Sequence, residues 1–235
     1  MLEGGGSFGA LLSSIFKDYS RRLENLSWIV YAVGLVTLIR IFISDPSSEP
    51  IDQLVFLSEL AIPFLAAFVV GTVSRGKSAL FIFRKSPAGI GKFVKARLVQ
   101  GWLVAVPIAA ILIGVSTILL PQIMLAPLLI NIVWGSLRTL ALVAVVLGLA
   151  IINPIFAEES RERNMGIIIN LMVVLFATIG LGIGLSRLGL SFGKMLPNLD
   201  PFTVIVYDHL LLTLIFSLVG VFLLYIGIRK LDRIE

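Results

Sequence analysis

Residues 127–152 read PLLINIVWGSLRTLALVAVVLGLAII, and this stretch decides the class of the fold. It carries a single charged side chain, Arg138, in an otherwise uncharged and apolar run. A helix of this length rises about 39 Å, which exceeds the roughly 30 Å of hydrocarbon in a bilayer. A buried strand would be only about 4 to 8 residues long. The run therefore predicts a transmembrane helix.

The composition of the whole chain agrees with this prediction. Of 235 residues, 58% are hydrophobic and only 14% are charged, and the mean hydropathy is +1.04, well above that of a soluble domain. Similar runs predict an all-α fold of six transmembrane helices within a single transmembrane domain, residues 1–235. The predicted spans are 26–43, 54–73, 98–120, 127–152, 166–185 and 210–228. No cleavable signal sequence is apparent at the start, so we expect the first span to stay as an anchor.

The basic residues predict the orientation of these spans. Fifteen of the 19 Lys and Arg fall in the two termini or in the loops after the second and fourth spans, whereas only Arg187 and Lys194 fall in the opposite loops. The positive-inside rule then places both termini in the cytoplasm. The net charge of +5 is explained by topology, so we expect no nucleic-acid partner. The sequence thus predicts a multi-pass protein of the cell membrane.

Two cytoplasmic segments have patterns of their own. Residues 8–24 place their apolar side chains on one side of a helical wheel, which predicts an amphipathic helix lying on the inner leaflet. Residues 74–97 form a basic loop around the short apolar run ALFIF. A chain that has no nucleotide-binding fold can be driven by ATP only through a partner that contacts a loop of this kind.

Two short motifs point to other functions. Residues 71–78, GTVSRGKS, match a phosphate-binding loop by letter, but they follow a run of membrane-spanning length instead of a short buried strand. Glu158 and Glu159 resemble the first motif of membrane-embedded CAAX-type proteases, although the chain has only one His, His209, at the far end of the sixth span. A hydrolase that uses these two glutamates stays an alternative, as does a scaffold without transport activity. With no Cys and one His, we expect no metal site and no catalytic residues on this chain.

The segment RKSPAGIGKFVKAR, residues 84–97, resembles the loop before the third span of type-2 class ABC exporter permeases, where a Ser-Pro turn and a following Lys open that span. NPIFAEESRERN, residues 153–164, also resembles permeases of this class. The resemblance implies the permease subunit of an ATP-driven exporter that works by alternating access, with a second permease chain and a soluble ABC ATPase as partners. ATP would bind the ATPase, so no cofactor is expected here. The implied ATPase-coupling residues are Phe81, Phe83, Arg84, Lys85, Ser86 and Pro87.

Charged side chains also occur within or beside the predicted spans, at Arg40, Glu59, Arg138 and Asp208. An Arg at the centre of a span costs about 2.5 to 3.5 kcal/mol, so Arg138 must face protein or water. We hypothesise that Arg138 pairs with Glu59 in a polar cluster that lines a pathway; an interhelical contact without transport function is the equal alternative. If the cluster lines a pathway, Arg138→Leu should abolish transport and leave assembly intact.

The fifth predicted span contains the small-residue motif G-x-x-x-G at Gly180 and Gly184. Small residues at this spacing allow the backbones of two helices to approach closely. We therefore expect a close helix contact at this motif, and we interpret its role as helix packing.

Overall fold

The computed structural model describes residues 7–21, 27, 30, 34, 62–73, 89–118, 125–152, 169, 172–178, 180–181 and 201–233. Within these ranges the chain is entirely helical, which confirms the predicted all-α class. The helices are α1 (Ser7–Arg21), α2 (Ile62–Val73), α3 (Gly89–Ile118), α4 (Leu125–Ile152) and α5 (Pro201–Arg233), with a further helical segment at residues 172–178.

Three of the described helices are long and apolar enough to cross a membrane. The qualifying segments are Gly89–Gly114 in α3, Ile132–Ile152 in α4 and Val206–Lys230 in α5. They correspond to the third, fourth and sixth predicted spans. The other predicted spans, 26–43, 54–73 and 166–185, are described only in part. Three helices of this length and composition indicate a membrane protein.

The helix α3 is longer than the apolar run that predicted it. It begins at Gly89, inside the predicted basic loop, and its first turns combine buried Ile90 and Phe93 with exposed Lys92 and Lys95. Residues three to four apart share one side of a helix, so this segment is amphipathic. The apolar run alone could not show this extension, because the added turns contain charged residues.

The helices α3 and α4 pack antiparallel. A Cβ atom at Gly101 would lie 2.9 Å from Cγ1 of Val143, and near the other end of the pair a Cβ atom at Gly114 would lie 3.9 Å from Cδ1 of Ile132. Residue numbers thus rise along α3 as they fall along α4. The indole Nε1 of Trp102 donates a hydrogen bond of 3.0 Å to the backbone oxygen of Leu140 within the same contact.

The helices α4 and α5 pack parallel and very closely. A Cβ atom at Gly220 would lie 2.9 Å from Cβ of Ala144, and a Cβ atom at Gly227 would lie 2.7 Å from Cγ2 of Ile151. Glycine at these positions allows the two backbones to approach, as in other membrane helix pairs. Among the described residues the predicted contact at Gly180 is not observed, because this glycine is exposed and a Cβ atom there would meet nothing within 4 Å; Gly184 lies outside the described residues. The close approach occurs between α4 and α5 instead.

The helices α2 and α4 form the centre of the described bundle. In α2 the residues Ile62, Leu65, Ala66, Ala67, Val69 and Val70 are all at most 2% exposed. In α4 nearly every residue from Arg138 to Ile151 is buried. By contrast, α5 exposes a broad apolar surface that includes Leu214, Leu218 and Phe222, as expected for a helix that faces lipid.

The N-terminal helix α1 has the amphipathic character predicted for residues 8–24. Leu12 and Phe16 are partly buried, whereas Ser14, Lys17 and Arg21 are exposed. The described residues of α1 pack against α3. A partly buried apolar side and an exposed basic side fit a helix that lies beside the bundle at a membrane surface.

Candidate functional site

Arg138 is buried at the middle of α4. Only 1% of its surface is exposed, and it is the largest of the fully buried side chains in the described residues. It therefore faces protein, one of the two environments, protein or water, that were expected for it. A guanidinium group at this depth is costly, so it marks a candidate functional position in the membrane-spanning region.

The start of α2 lies beside the Arg138 side of α4. A Cβ atom at Gly135, one turn before Arg138, would lie 3.3 Å from Cδ1 of Ile62, the first residue of α2. Residues three apart share a side of a helix. Glu59, the predicted partner of Arg138, comes three residues before Ile62 and lies outside the described residues, as does Arg40.

The register of α4 and α5 separates Asp208 from Arg138. Because Ala144 lies beside Gly220, the residue of α5 level with Arg138 is Leu214. Asp208 comes six residues earlier, about 9 Å along the axis at 1.5 Å per residue. Arg138 and Ala144 are also about 120° apart around α4, since each residue turns the helix by about 100°. The helix register therefore favours α2 over α5 as the neighbour of Arg138.

A second polar group lies near the start of α3. Nη1 of Arg97 donates a hydrogen bond of 3.0 Å to Oε1 of Gln100, and the guanidinium carbon of Arg97 lies 5.1 Å from the ring centre of Phe93. Gln100 is fully buried, and Phe93 is 7% exposed. We refer to Arg97 and Gln100 as the α3 polar pair.

Sequence reasoning missed this pair. Arg97 counts there only as one of seven basic residues in a loop, and Gln100 is one polar residue in a long apolar run. The signal is the helical spacing of Ile90, Val94, Arg97 and Gly101, which puts a cation on the side of α3 that is otherwise buried. That spacing could have been read only if the helix had been extended back to Gly89.

The buried hydroxyl groups are satisfied inside their own helices. Oγ1 of Thr139 donates to the backbone oxygen of Gly135 at 2.6 Å, and Oγ1 of Thr178 donates to that of Val174 at 2.8 Å. Ser and Thr commonly bond the carbonyl four residues earlier in membrane helices. These hydroxyl groups therefore contribute to helix geometry, and the side chains that stand out as candidates are Arg138 and the α3 polar pair.

The other predicted features are described only in part. The six implied ATPase-coupling residues, Phe81, Phe83, Arg84, Lys85, Ser86 and Pro87, lie outside the described residues, and so do Glu158 and Glu159. The segment before residues 71–78 is helical, since α2 (Ile62–Val73) covers residues 62–70 and continues to Val73. A helix and not a strand therefore precedes the motif, and residues 74–78 lie outside the described residues. In the part of the chain that the structure describes, no three His, Cys, Asp or Glu residues are grouped as a metal site would require.

Comparison of this chain with known protein families, with characterised proteins and with solved structures finds no match. Its function must therefore be inferred from its own residues and contacts.

Proposed function

We propose that this chain is the permease subunit of an ATP-driven exporter, with a separate ABC ATPase that binds and hydrolyses ATP. The observation that carries the proposal is the burial of Arg138 at the centre of a membrane-spanning helix. A charged group is rarely found at that depth in a protein that only needs to sit in the membrane, and it commonly marks a substrate or ion pathway. The resemblance of residues 84–97 to type-2 class permeases supports the class of transporter.

The parallel packing of α4 and α5 supports the proposed six-span arrangement. Both helices run in the same direction, so the chain between Ile152 and Pro201 must return to the level at which α4 begins. A return across the membrane requires one further span, and the helical residues 172–178 lie within the predicted fifth span, 166–185. Two cytoplasmic termini and a cytoplasmic loop before α3 follow if this arrangement is combined with the positive-inside rule.

In the proposed mechanism, ATP binding closes the partner ATPases and this movement is passed to the spans through the residues around Phe81 to Pro87. The helices α1 and α3 pack together, so a displacement at the start of α3 would also move α1. Six spans form half of a pathway, and a second permease chain completes it. Arg138 would then contribute a fixed positive charge that orients substrate or closes the pathway between cycles.

The proposal is tested by purification of the tagged chain from its native membrane in a mild detergent. We expect a soluble ATPase with its own phosphate-binding loop to co-purify, and Phe83→Ala to release it. Arg138→Leu should keep the ATPase bound but greatly reduce ATP-dependent transport, whereas Arg138→Lys should retain part of it. Absence of any ATPase would contradict the proposal, as would ATP bound to the isolated chain. If no ATPase is present and Glu158→Gln abolishes a hydrolytic activity, the membrane hydrolase is the correct alternative.

A further inference from the structure

The exposed side of α5 ends in a basic residue. Five exposed side chains recur there at intervals of three or four residues: Leu214, Leu218, Phe222, Tyr225 and Arg229. Each residue turns a helix by about 100°, so these side chains fall within an arc of about 80° on one side of α5. We refer to them as the α5 stripe. It is aliphatic or aromatic over its first four residues and charged at its end.

The end of the α5 stripe lies at one surface of the bundle. The parallel register of α4 and α5 puts Arg229 level with the end of α4. Gly101 lies beside Val143 in the antiparallel contact of α3 and α4. Nine residues earlier on α3 and nine later on α4, Lys92 is level with Ile152. Exposed basic residues at the ends of apolar helices lie among the lipid headgroups, so this level is that of the headgroups.

Arg229 is held against the α5 stripe instead of extending into water. Its guanidinium carbon lies 4.8 Å from the centre of the Tyr225 ring, one turn back toward the middle of α5. Tyr225 is itself 53% exposed, so the two side chains lie together on the lipid-facing side. Attraction between a cation and a ring requires no acceptor oxygen, so the N–H donors of the guanidinium can still bind one. The contact places these donors directly above an apolar surface.

The next residue of α5 uses its positive charge differently. Nζ of Lys230 donates a hydrogen bond of 2.8 Å to the backbone oxygen of Ile152, the last residue of α4. Basic side chains commonly bond the last carbonyl groups of a helix. Lys230 is also turned about 100° from Arg229 around α5. Lys230 therefore caps α4, whereas Arg229 faces lipid.

The length of the α5 stripe matches one leaflet of the bilayer. Leu218 and Arg229 are eleven residues apart, about 16 Å along the helix axis. Half of the hydrocarbon thickness is about 15 Å. An acyl chain whose phosphate lies at Arg229 would thus run over Tyr225 and Phe222 and end near Leu218. The stripe has the length and the polarity of a phospholipid molecule.

We propose that Arg229 and Tyr225 bind the headgroup of an acidic phospholipid whose acyl chains lie on the α5 stripe. A guanidinium group forms charge-assisted hydrogen bonds to phosphate oxygens, often two at once. At this end of α3, α4 and α5 no described side chain is acidic, whereas Lys92, Arg229 and Lys230 are basic. This charge selects a lipid of net negative charge over zwitterionic phosphatidylcholine.

A lipid explains the α5 stripe better than an acidic protein surface does. Such a surface would be attracted by Arg229, but it would not account for the exposed apolar residues that continue from Arg229 into the hydrocarbon. The lipid site does not depend on the transport proposal, because it is given by α5 and its contact with α4.

Lys92 provides a matched control. It is exposed, carries the same charge as Arg229 and lies at the same level, but on α3 and away from the α5 stripe. General attraction to acidic lipid would be reduced equally by Lys92→Gln and Arg229→Gln. A site on the stripe would respond only to the second substitution. Tyr225→Leu keeps the charge and an apolar side chain but removes the ring, and it keeps the test informative if Arg229→Gln does not fold.

The experiment uses the purified full chain in a neutral detergent, with native mass spectrometry to count bound lipids. Phosphatidylglycerol and phosphatidylcholine with the same acyl chains are titrated separately, and the Kd of the first bound lipid is measured. We expect the native chain and Lys92→Gln to bind phosphatidylglycerol at least about tenfold more tightly than phosphatidylcholine. Arg229→Gln should lose most of this preference, and Tyr225→Leu should weaken phosphatidylglycerol binding about two- to fivefold. Glycerol phosphate, which has the charge without acyl chains, should not compete at the same concentration.

Several outcomes would overturn the proposal. It is wrong if the native chain does not distinguish the two lipids, if Lys92→Gln and Arg229→Gln reduce the preference equally, or if glycerol phosphate competes as well as the lipid does. If Arg229→Gln keeps the preference but releases a co-purifying protein, Arg229 belongs to a protein interface instead. Asp232, in the last turn of α5, is the acidic residue nearest to Arg229 in sequence. Asp232→Asn should retain or increase the preference, and a loss would contradict a site that recognises negative charge.

Discussion

Substitution of Gly148 by alanine tests whether the contact between α4 and α5 is as close as the structure indicates. An added Cβ atom would lie 2.7 Å from Cβ of Leu223 and 3.0 Å from the backbone nitrogen of Leu224. Ordinary contacts of a Cβ atom begin near 3.4 Å, so the two helices would have to separate by several tenths of an ångström. Backbone atoms of a helix cannot rotate out of the way as a side chain can. The two helices must therefore move apart, and packing is lost along the whole contact.

The expected magnitude follows from two opposing terms. Overpacking in a closely packed core costs about 1 to 3 kcal/mol. Replacing Gly by Ala within a helix raises the free energy of unfolding by about 0.5 to 1 kcal/mol, because Ala loses less backbone entropy on folding. Gly148→Ala should therefore lower the free energy of unfolding by about 0 to 2.5 kcal/mol relative to the native chain, and by about 1 to 3 kcal/mol relative to a Gly→Ala control that has only the favourable term. Gly114→Ala is the matched control, because its Cβ atom would be 3.9 Å from Cδ1 of Ile132 and only the favourable term applies.

The assay is reversible unfolding in mixed micelles by titration with an ionic detergent, followed by the loss of helical circular dichroism. Gly220→Ala should behave as Gly148→Ala does, since its Cβ atom would lie 3.1 Å from the backbone nitrogen of Val145. The double variant should be less destabilised than the sum of the two, because one separation of the helices relieves both contacts. If Gly148→Ala is as stable as Gly114→Ala, the proposed close approach of α4 and α5 is refuted.

Two further predictions concern hydrogen bonds between helices. Trp102→Phe removes the indole hydrogen bond of 3.0 Å to the backbone oxygen of Leu140. It should lower the free energy of unfolding by about 0.5 to 1.5 kcal/mol. The control Leu103→Ala, on the exposed side of α3, should change the free energy of unfolding less. Lys230→Met removes a hydrogen bond of 2.8 Å from Nζ to the backbone oxygen of Ile152, at the end of α4. It should lower the free energy of unfolding by less than about 1 kcal/mol, because the lysine is exposed. Detergent titration checks both; an unchanged midpoint for Trp102→Phe would mean that the indole bond contributes nothing to the contact.

The sequence allowed the long helices to be predicted because hydrocarbon thickness sets a minimum length for an apolar run. The runs 98–120, 127–152 and 210–228 correspond to α3, α4 and α5, which differ mainly at their starts. α5 begins at Pro201, ahead of its run, because proline suits the first position of a helix. Apolar length carries no information about charged or polar turns that continue a helix beyond the hydrocarbon.

The packing of the helices was much harder to predict from sequence. A helix that is apolar all round has almost no periodicity, so the pattern does not show which side is buried. The motif at Gly180 indicated a close contact that is not observed there among the described residues, whereas Gly148 and Gly220, which lie outside that motif, make one. Small residues permit a close approach, but the choice of partner helix depends on the complete bundle. The exclusion of Arg138 from lipid was predictable from its charge without knowledge of a partner helix, whereas the choice between protein and water was not.

The described polar groups and small residues divide the bundle into parts with different roles. Between two apolar helices in lipid the hydrophobic effect is weak, so α4 and α5 are held mainly by close van der Waals packing at Gly148 and Gly220. A buried amide whose Nε2 donates no bond to the described residues, as in Gln100, works against stability. Replacing Gln100 by Met should thus preserve or raise stability, whereas Gly148→Ala should lower it. Opposite responses of stability in these two variants follow directly from the separation of the packing contact on α4 from the buried amide on α3.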